Sequence, residues 1–441
     1  MAGDIALLVN TGGPVLFFGT IAGVFSEKYN LPKMVPLIVT GIIISFFRPD
    51  SLINFADDST KETALVIAEM GLLLVLYQEG MHLSLRRLQE NLLPVLLLAV
   101  VGTIVTATIT GFGIQFFAQH ISRLNLHFLL IGSLLMASIV VPTDPAATFS
   151  ILRSSGTRIK PNLEIILGGE STFNDVIAIM MVIVILLPQV AAKNVRLVLS
   201  PVIILIALWQ LIGGILLGGI MTAITLYAIS KINGDKENAA LTLSSVFGIF
   251  ALAPLLNVSS AIAALTAGLL LANPHYIGMK RKYTRSYMIP FWDKIVFLIE
   301  IFAFTFIGFL FDPHNFVSLI IPGILLSIIV LVCRIISVYL TTVPLEYSLR
   351  TREILSNKDR FFIAFAGFKG LTTAVLALLS YVYLSNVESQ TSTDRQFSDV
   401  LLYGSLILIL MSGIMQGLLL PFISEKMNVY DRTEPDTGLS H

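Results

Sequence analysis

One short segment of the chain, residues 170–175, carries five polar side chains, four of which form two pairs at helical spacing. Glu170 and Asn174 are four residues apart, as are Ser171 and Asp175, so each pair would stack along one face of a helix. Carboxylate, hydroxyl and amide oxygens are hard ligands that suit a small alkali cation. A carboxylate in such a ligand set can instead carry a proton. A site that binds either a cation or a proton, but not both at once, has the chemistry of an exchanger.

Two further segments combine a charge with helix-breaking residues. Residues 141–145 read VPTDP and place Asp144 between two prolines, which remove backbone hydrogen bonds and disfavour helix in the residue before them. Residues 367–373 read GFKGLTT and place Lys369 between two glycines, ahead of two hydroxyls. Both segments lie within long apolar stretches, so we expect two membrane helices that unwind near their middle. In transporters, freed carbonyls and half-helix ends of this kind coordinate ions at the bilayer midplane.

Ionisable side chains inside apolar spans are expensive, because each costs about 3 kcal/mol at the bilayer centre. Eight of them lie inside the predicted spans and away from the span ends: Glu69, Glu79, Asp144, Glu170, Asp175, Glu300, Arg334 and Lys369. They must therefore pair with one another or face a water-filled cavity. Six acids against two bases leave a shortage of positive charge, which protons or bound cations must supply. This balance favours a pathway for cations.

The composition excludes several classes of protein. Of the 441 residues, 55% are hydrophobic and 13% are charged, and the mean hydropathy is +0.86. A soluble domain carries about a quarter charged residues, so a soluble enzyme is excluded. The 28 basic residues equal the 28 acidic ones, which leaves no field to attract nucleic acid. The single cysteine, Cys333, excludes disulfide frameworks and iron–sulfur clusters, and no glycine loop for nucleotide phosphates is present. We therefore expect no cofactor and no nucleotide.

The apolar runs place these charged segments in an all-α polytopic membrane protein. About 20 apolar residues cross a bilayer core, and this length predicts about 13 transmembrane helices. They lie near residues 5–25, 31–47, 63–83, 91–118, 126–151, 162–188, 199–229, 239–256, 259–273, 291–312, 316–343, 359–384 and 399–424. The broken fifth and twelfth spans are seven spans apart, as in an inverted repeat that matches spans 1–6 to spans 8–13.

The basic residues predict the orientation of the chain. Lysine and arginine concentrate in the loops that follow odd-numbered spans, and such loops lie on the cytoplasmic side. We expect a multi-pass protein of the cell membrane with its N-terminus outside and its C-terminus in the cytoplasm. Residues 1–425 then form the membrane domain and residues 426–441 a short cytoplasmic tail.

At these residues the chain resembles the NhaP-type sodium/proton antiporters of the cation:proton antiporter family. Residues 143–145 (TDP) are similar to the family's Thr-Asp-Pro in its unwound fifth helix. Residues 170–175 (ESTFND) resemble its Glu-Ser-x-x-Asn-Asp signature in the sixth helix. Arg334 resembles the family arginine that forms a structural ion pair with the signature glutamate, here Glu170. Glu300 resembles an acid in the tenth helix of eukaryotic relatives and is a candidate accessory residue.

This resemblance implies a secondary active transporter that exchanges sodium, with lithium as a surrogate, for protons. Asp175 would be the principal carrier of both cation and proton. Asp144, Ser171 and Thr143 would supply neighbouring cation ligands. Asn174 takes the place of the second aspartate found in electrogenic relatives, which implies electroneutral one-for-one exchange.

Several positions depart from the family pattern. Val176 stands where proline usually follows Asn-Asp, and Lys369 stands where the twelfth helix has arginine. Lysine keeps the charge but loses the bidentate fork, so Lys369 is a candidate either for charge balance or for proton coupling. The acid expected in the third span is Glu69 or Glu79. His82, near the predicted inner mouth, is a candidate pH sensor because histidine changes charge near neutral pH.

The family fold, common to NhaA and NhaP proteins, implies a core that carries the site and moves against a dimerisation scaffold. We assign the core to spans near residues 63–188 and 291–384, and the scaffold to spans near 5–47, 199–273 and 399–424. The resemblance also implies a homodimer. Partners are then a monovalent cation, the proton and the lipid bilayer.

Alternative functions stay open at this point. A potassium/proton antiporter of the same fold differs only in the size and geometry of the cation site. A cation-coupled solute symporter is a further alternative, although the two broken segments lack added polar or aromatic groups for an organic substrate. A passive channel would require a filter-like repeat, and an intramembrane aspartyl protease would require a Gly-x-Gly-Asp motif; neither pattern is present.

Overall fold

The computed structural model describes residues 2–29, 31–47, 58–120, 130–154, 159–193, 197–232, 234–278, 285–310, 313–349, 355–387 and 392–430. In these ranges the chain is helical, with one isolated antiparallel bridge between Ile159 and Tyr430. The tail beyond Tyr430 lies outside the described residues.

The first half of the chain contains α1 (Ala2–Lys28), α2 (Met34–Phe46), α3 (Asp58–His82), α4 (Leu85–Glu90), α5 (Leu92–Leu96), α6 (Thr103–His120), α7 (Leu130–Val140), α8 (Pro145–Ser154), α9 (Pro161–Ile179) and α10 (Leu187–Ala191). The second half contains α11 (Pro201–Lys231), α12 (Asp235–Leu255), α13 (Ser260–Ala272), α14 (Arg285–Phe309), α15 (Pro313–Leu349), α16 (Asn357–Phe365), α17 (Leu371–Ser385), α18 (Ser392–Asp399) and α19 (Ser405–Met427). Three π-helical stretches, Leu97–Gly102, Met180–Leu186 and Val400–Gly404, join α5 to α6, α9 to α10 and α18 to α19. A short 3₁₀ turn spans Pro274–Ile277.

The helices agree in position with the predicted spans. Among the described residues, eight helical segments are long and apolar enough to cross a membrane, and three shorter apolar helices accompany them. Each predicted span overlaps one helix or one pair of helices. The total of 13 crossings stays a prediction.

The predicted breaks are confirmed in both crossing spans. In the fifth span α7 ends at Val140 and α8 begins at Pro145, whose missing N–H is harmless in the first turn of a helix. In the twelfth span α16 ends at Phe365 and α17 begins at Leu371. The breaks touch, because the Asp144 amide donates to the carbonyl oxygen of Phe368 at 2.8 Å.

The glycines of the second break make room for charged neighbours. A Cβ added to Gly370 would lie 2.6 Å from the Cβ of Asp144, and one added to Gly367 would lie 2.3 Å from the Nε of Arg334. A larger residue at either position would push a buried charge aside. Glycine is therefore required here for close approach as well as for unwinding.

Helix packing divides the described helices into two groups. In the first, α1, α2 and α3 pack against α11, α12, α13 and α14; in the second, α6 to α10 pack with α15 to α19. The predicted division placed the spans near residues 63–83 and 291–312 in the core and the span near 399–424 in the scaffold. In the structure α3 lies along α13, α14 lies along α2, and α19 packs on α15 and on the half-helices. The division into a moving core and a scaffold stays a prediction.

Backbone contact between α3 and α13 explains part of this packing. A Cβ on Gly268 would lie 1.9 Å from the carbonyl oxygen of Tyr77. One on Gly80 would lie 2.5 Å from that of Leu265. These distances are far below van der Waals contact, so the two helices approach each other only where side chains are absent.

The pair α2 and α14 repeats this arrangement. A Cβ on Gly41 would lie 2.0 Å from the carbonyl oxygen of Thr305, and one on Gly308 would lie 2.3 Å from that of Ile38. The two pairs join span 3 to span 9 and span 2 to span 10. The predicted repeat matches span 3 to span 10 and span 2 to span 9. It therefore relates the pair of spans 3 and 9 to the pair of spans 10 and 2, which agrees with the two similar contacts.

Candidate cation site

A cavity of about 480 Å³, wide enough to admit water, reaches from the surface to the two broken spans. Its lining includes six acidic residues: Glu27, Glu79, Asp144, Asp175, Asp293 and Glu300. Three basic or titratable residues also line it: Lys33, His82 and Arg153. The excess of acids makes the cavity attractive to cations, and its low-dielectric walls concentrate that field.

Asp175 lies at the inner end of this cavity, on α9. Its side chain is buried, with 2% of its surface exposed. Oδ2 accepts a hydrogen bond from the hydroxyl of Thr372 on α17. Oδ1 is also buried and has no hydrogen-bond partner among the described residues. A buried carboxylate oxygen without a donor is poorly solvated, so it favours a bound cation or proton.

Ser171 and Asn174, on the same helix, hold the first break against α9. The Ser171 hydroxyl donates to the carbonyl oxygen of Thr143. The Asn174 amide donates to Thr143 Oγ1 at 3.3 Å and to Glu170 Oε1, also at 3.3 Å. The predicted stacking of Glu170 with Asn174 is therefore confirmed, and Thr143 is held against the helix that carries Asp175.

Asp144 caps the half-helix α8. Its Oδ1 accepts from the backbone amides of Ala146 at 2.8 Å and Ala147 at 3.4 Å. A carboxylate at this position satisfies otherwise unpaired N–H groups and interacts favourably with the positive end of the helix dipole. Asp144 also lines the cavity, so its charge contributes to the same field as that of Asp175.

Lys369 provides a positive charge at the other side of the first break, where α7 ends. Its buried Nζ donates to the carbonyl oxygens of Val141 at 3.0 Å and Pro142 at 3.3 Å, just beyond the C-terminus of α7. A cation there balances the negative end of the α7 dipole. Of the two roles predicted for Lys369, these contacts favour charge balance.

Arg334 performs the corresponding task at the second break. Its guanidinium donates to both carboxylate oxygens of Glu170, at 3.2 and 3.1 Å. It also donates to the carbonyl oxygens of Ala364 and Ile363, at 3.2 and 3.4 Å, near the C-terminus of α16. Both side chains of the ion pair are at least 95% buried. The predicted pair is confirmed, and each half-helix that ends in a break has a base at its C-terminus.

The structure separates the two acids proposed for the third span. Glu79 lines the cavity, and its buried Oε2 has no hydrogen-bond partner among the described residues. Glu69 lies on the same helix but is not among the lining residues. Glu300, on α14, also lines the cavity, and its Oε2 lies 3.9 Å from the ammonium of Lys33. Glu79 and Glu300 therefore remain candidate accessory residues.

His82 lies at the mouth of the cavity with an acidic partner. Its Nε2 is 3.4 Å from Oδ1 of Asp293, and that oxygen also accepts from the Gln78 amide at 2.8 Å. The sequence flagged His82, whereas Asp293 and Gln78 carried no signal because their contact with it depends on how α3 and α14 pack.

Thr372 is the site residue that sequence reasoning missed. The sequence showed two adjacent hydroxyls after Lys369, but not which of them faces Asp175. Only the crossing of α17 with α9 brings the Thr372 hydroxyl to the carboxylate, across 197 positions of sequence.

Comparisons with known proteins find relatives along nearly the whole chain. The family model described as "Sodium/hydrogen exchanger, transmembrane" matches residues 15–428. The Na(+)/H(+) antiporter ApNhaP of Aphanothece halophytica is 28% identical over 424 residues, which cover 95% of this chain and 74% of that protein. The K(+)/H(+) antiporter NhaP of Alkalimonas amylolytica is 24% identical over 382 residues, which cover 86% of this chain and 61% of that protein.

A third relative and a solved structure complete the comparison. The K(+)/H(+) antiporter NhaP2 of Shewanella sp. (strain ANA-3) is 28% identical over 80% of this chain and 57% of that protein. The chain thus spans about three fifths of the length of the two potassium antiporters. The structure of the sodium proton antiporter MjNhaP1 from Methanocaldococcus jannaschii at pH 8 superposes with a TM-score of 0.80, at 21% identity, over 96% of this chain and 99% of that one. This likeness extends the fold over nearly the whole molecule.

Proposed function

The chain belongs to the sodium/hydrogen exchanger family, and from this premise we propose that it exchanges sodium for protons, one for one, at Asp175. The resemblance to NhaP-type antiporters is confirmed by the relatives of that name. The chain is accordingly a membrane transporter and not an enzyme. Sodium as the preferred cation, the stoichiometry and the alternating-access cycle are parts of the proposal.

One observation carries this proposal. Asp175 is 98% buried at the end of a cavity, one carboxylate oxygen is held by Thr372, and the other has no partner among the described residues. A cation or a proton would neutralise that oxygen, and each would exclude the other. Thr143, Ser171 and Asp144 are the proposed further cation ligands, and Thr143 and Asp144 line the same cavity.

Charge counting supports electroneutral exchange. Arg334 neutralises Glu170, and Asn174 carries no charge. Among the signature residues 170–175 of α9, Asp175 is therefore the carboxylate that can bind and release a cation or a proton. If Asp175 carries one cation in one direction and one proton in the other, the moving site has the same net charge in both. Transport would then be indifferent to the membrane potential.

The choice of cation has one alternative. Relatives of this chain are named as sodium/proton and as potassium/proton antiporters, so potassium exchange is the second candidate. Selectivity between the two depends on the size of the ligand cage, and the cavity admits either ion.

The moving unit is proposed from helix packing. The second packing group contains both breaks and Asp175, so we expect it to move against the first group across the contact between α3 and α17. A homodimer and a cytoplasmic C-terminus complete the proposal. The exposed apolar face of α11, with Leu205, Trp209 and Leu216, is available to lipid or to a second copy.

Proton flux in proteoliposomes tests this function. We would trap a pH-sensitive dye inside, impose a pH gradient, and add sodium, lithium, potassium or choline separately, with and without a clamped membrane potential. We expect sodium and lithium to move protons irrespective of potential. Asp175→Ala should lower the flux to that of empty liposomes, because it removes the shared site. Glu164→Ala, which removes an exposed carboxylate from the first turn of the same helix, is the matched control and should retain exchange.

Each other outcome has a defined meaning. If potassium alone moves protons, the potassium alternative replaces sodium. If choline works as well as sodium, or if no alkali cation moves protons in folded protein, the exchange proposal is wrong and a solute symporter becomes the leading hypothesis.

A further inference from the structure

Two adjacent threonines at the start of α17 differ in their surroundings. Thr372 lines the cavity, and its hydroxyl donates to Oδ2 of Asp175. Thr373 is fully buried, and its hydroxyl has no hydrogen-bond partner among the described residues. One hydroxyl therefore contacts the carrier carboxylate, while its neighbour has the same chemistry without the contact.

We infer that Thr372 is a specificity-determining residue that sets the competition between cation and proton at Asp175. This inference rests on the proposed exchange at that carboxylate. It assigns to the second broken span a direct part in binding, in addition to the four ligand candidates from the first break and α9.

The chemistry follows from the hydrogen bond. A hydroxyl has one proton to donate and two lone pairs to offer. Its O–H stabilises the ionised carboxylate in the absence of a bound ion, which works against proton binding. When a cation arrives, the same oxygen can turn a lone pair toward it. Thr372 would thus keep Asp175 ready for a cation and then help to ligate that cation.

Other charged groups surround Asp175, and a variant at Thr372 leaves them in place. Glu79 faces the cavity from α3, and Asp144 and Lys369 lie in the two breaks. Glu170 lies on α9 and is paired with Arg334. If transport by a Thr372 variant has a different pH dependence, the cause is therefore the lost hydrogen bond between Thr372 and Asp175, because no nearby charge has been changed.

The position of Thr372 adds a mechanical consequence. It is the second residue of α17, directly after the break, so its bond to Asp175 ties that half-helix to α9. A bound cation could bridge the Thr372 hydroxyl and the Asp175 carboxylate. A proton on Oδ2 would instead face the proton of the Thr372 hydroxyl, so the hydroxyl would have to rotate. The cation-loaded and proton-loaded sites therefore differ in how α17 is held.

The test compares Thr372→Val with Thr373→Val. Valine has the shape of threonine without the hydroxyl, so the two variants differ only in whether the lost group touched Asp175. We would measure the apparent KM for sodium and the maximal rate in proteoliposomes at several pH values. Because Asp175 would bind protons about tenfold more tightly and the cation would lose one ligand, we expect the KM of Thr372→Val to rise about tenfold at neutral pH. Its activity profile should move about one pH unit upward, because protons compete better.

One further variant and the Thr373→Val control allow the inference to be refuted. Thr372→Ser retains the hydroxyl and should restore the wild-type KM, and Thr373→Val should resemble wild type. If Thr372→Val and Thr373→Val lower the maximal rate equally with unchanged KM and pH profile, Thr372 has only a packing role and the inference is wrong. Sodium-dependent thermal stabilisation of the purified variants, measured at two pH values, gives the same comparison without transport. If the wild-type protein itself exchanges no cation, the proposed function has failed rather than this assignment.

Discussion

Glu170, Asp144 and Asp175 are neighbouring carboxyl groups at the crossing of the two breaks, and each is balanced in a different way. Glu170 has a bidentate partner in Arg334, and Asp144 accepts two amides at the start of α8. Asp175 has one hydroxyl donor and one oxygen without a partner among the described residues. The sequence showed a shortage of positive charge; the structure shows that backbone dipoles offset part of it, which leaves Asp175 as the least balanced of these three carboxyl groups.

Removing Arg334 should destabilise the protein. Arg334→Ala would leave Glu170 as an unpaired buried charge and two carbonyls of α16 without a donor, at a cost of about 3–5 kcal/mol. We expect a lower melting temperature in detergent. Adding Glu170→Gln to Arg334→Ala should recover part of the loss, because the uncompensated charge is then gone. Unchanged melting of Arg334→Ala would contradict the structural role of the pair.

At the scale of elements, the two half-helix pairs are arranged alike. Each break frees a C-terminal helix end, and a base from elsewhere in the chain meets it: Lys369 for α7 and Arg334 for α16. Proline and glycine determine where the helices stop. The two bases, which are distant in sequence, donate hydrogen bonds to the carbonyl groups freed at these stops, and this allows the breaks to exist inside a membrane. Outside this crossing, glycine contacts hold α3 to α13 and α2 to α14, so small residues set both the breaks and the helix pairing.

Gly268→Ala should test the contact between α3 and α13. The new Cβ would lie 1.9 Å from the Tyr77 carbonyl oxygen, so the helices must separate, at a cost of about 1–3 kcal/mol. We expect a clear fall in melting temperature. Gly219→Ala is the matched control, since its Cβ would meet only a leucine side chain at 3.8 Å. Equal melting of both variants would show that α3 and α13 are not held by this contact.

At the scale of the whole molecule, the cavity opens at one end of the helix bundle. Its mouth is lined by Glu27, Lys33, His82 and Arg153, beside the loops that the basic residues predict to be cytoplasmic. The structure therefore represents a conformation in which Asp175 is reached from the predicted inner side.

Thiol labelling tests this orientation. In a Cys333→Ser background, which removes the single cysteine, Ser150→Cys lies on the exposed wall of the cavity. A membrane-impermeant maleimide should label it in inside-out vesicles and leave it unlabelled in right-side-out vesicles. Ala192→Cys, exposed after α10 in a predicted outer loop, should show the opposite pattern. The reverse result for both positions would overturn the predicted orientation.

The sequence by itself determined where the charges and the breaks are. Prolines around Asp144 and glycines around Lys369 act on the backbone next to them, and the four-residue spacing of Glu170 and Asn174 belongs to one helix, so these features were local and were confirmed. A family motif extended this reach to the pair of Glu170 with Arg334. The neighbours of α3, α14 and α19 were not predictable in this way, because they depend on backbone contacts that hydropathy does not report.

Only the tertiary structure decided which polar groups meet. Thr372 and Thr373 are indistinguishable as adjacent hydroxyls in the sequence, yet the tertiary structure brings the Thr372 hydroxyl to Asp175 and leaves the Thr373 hydroxyl buried without a partner among the described residues. The same holds for Glu79 and Glu69 on α3, where the cavity selects one acid. The physical reason is that hydrogen bonds and ion pairs act over about 3 Å, whereas the sequence places these groups on helices whose relative rotation is set by the whole packed bundle.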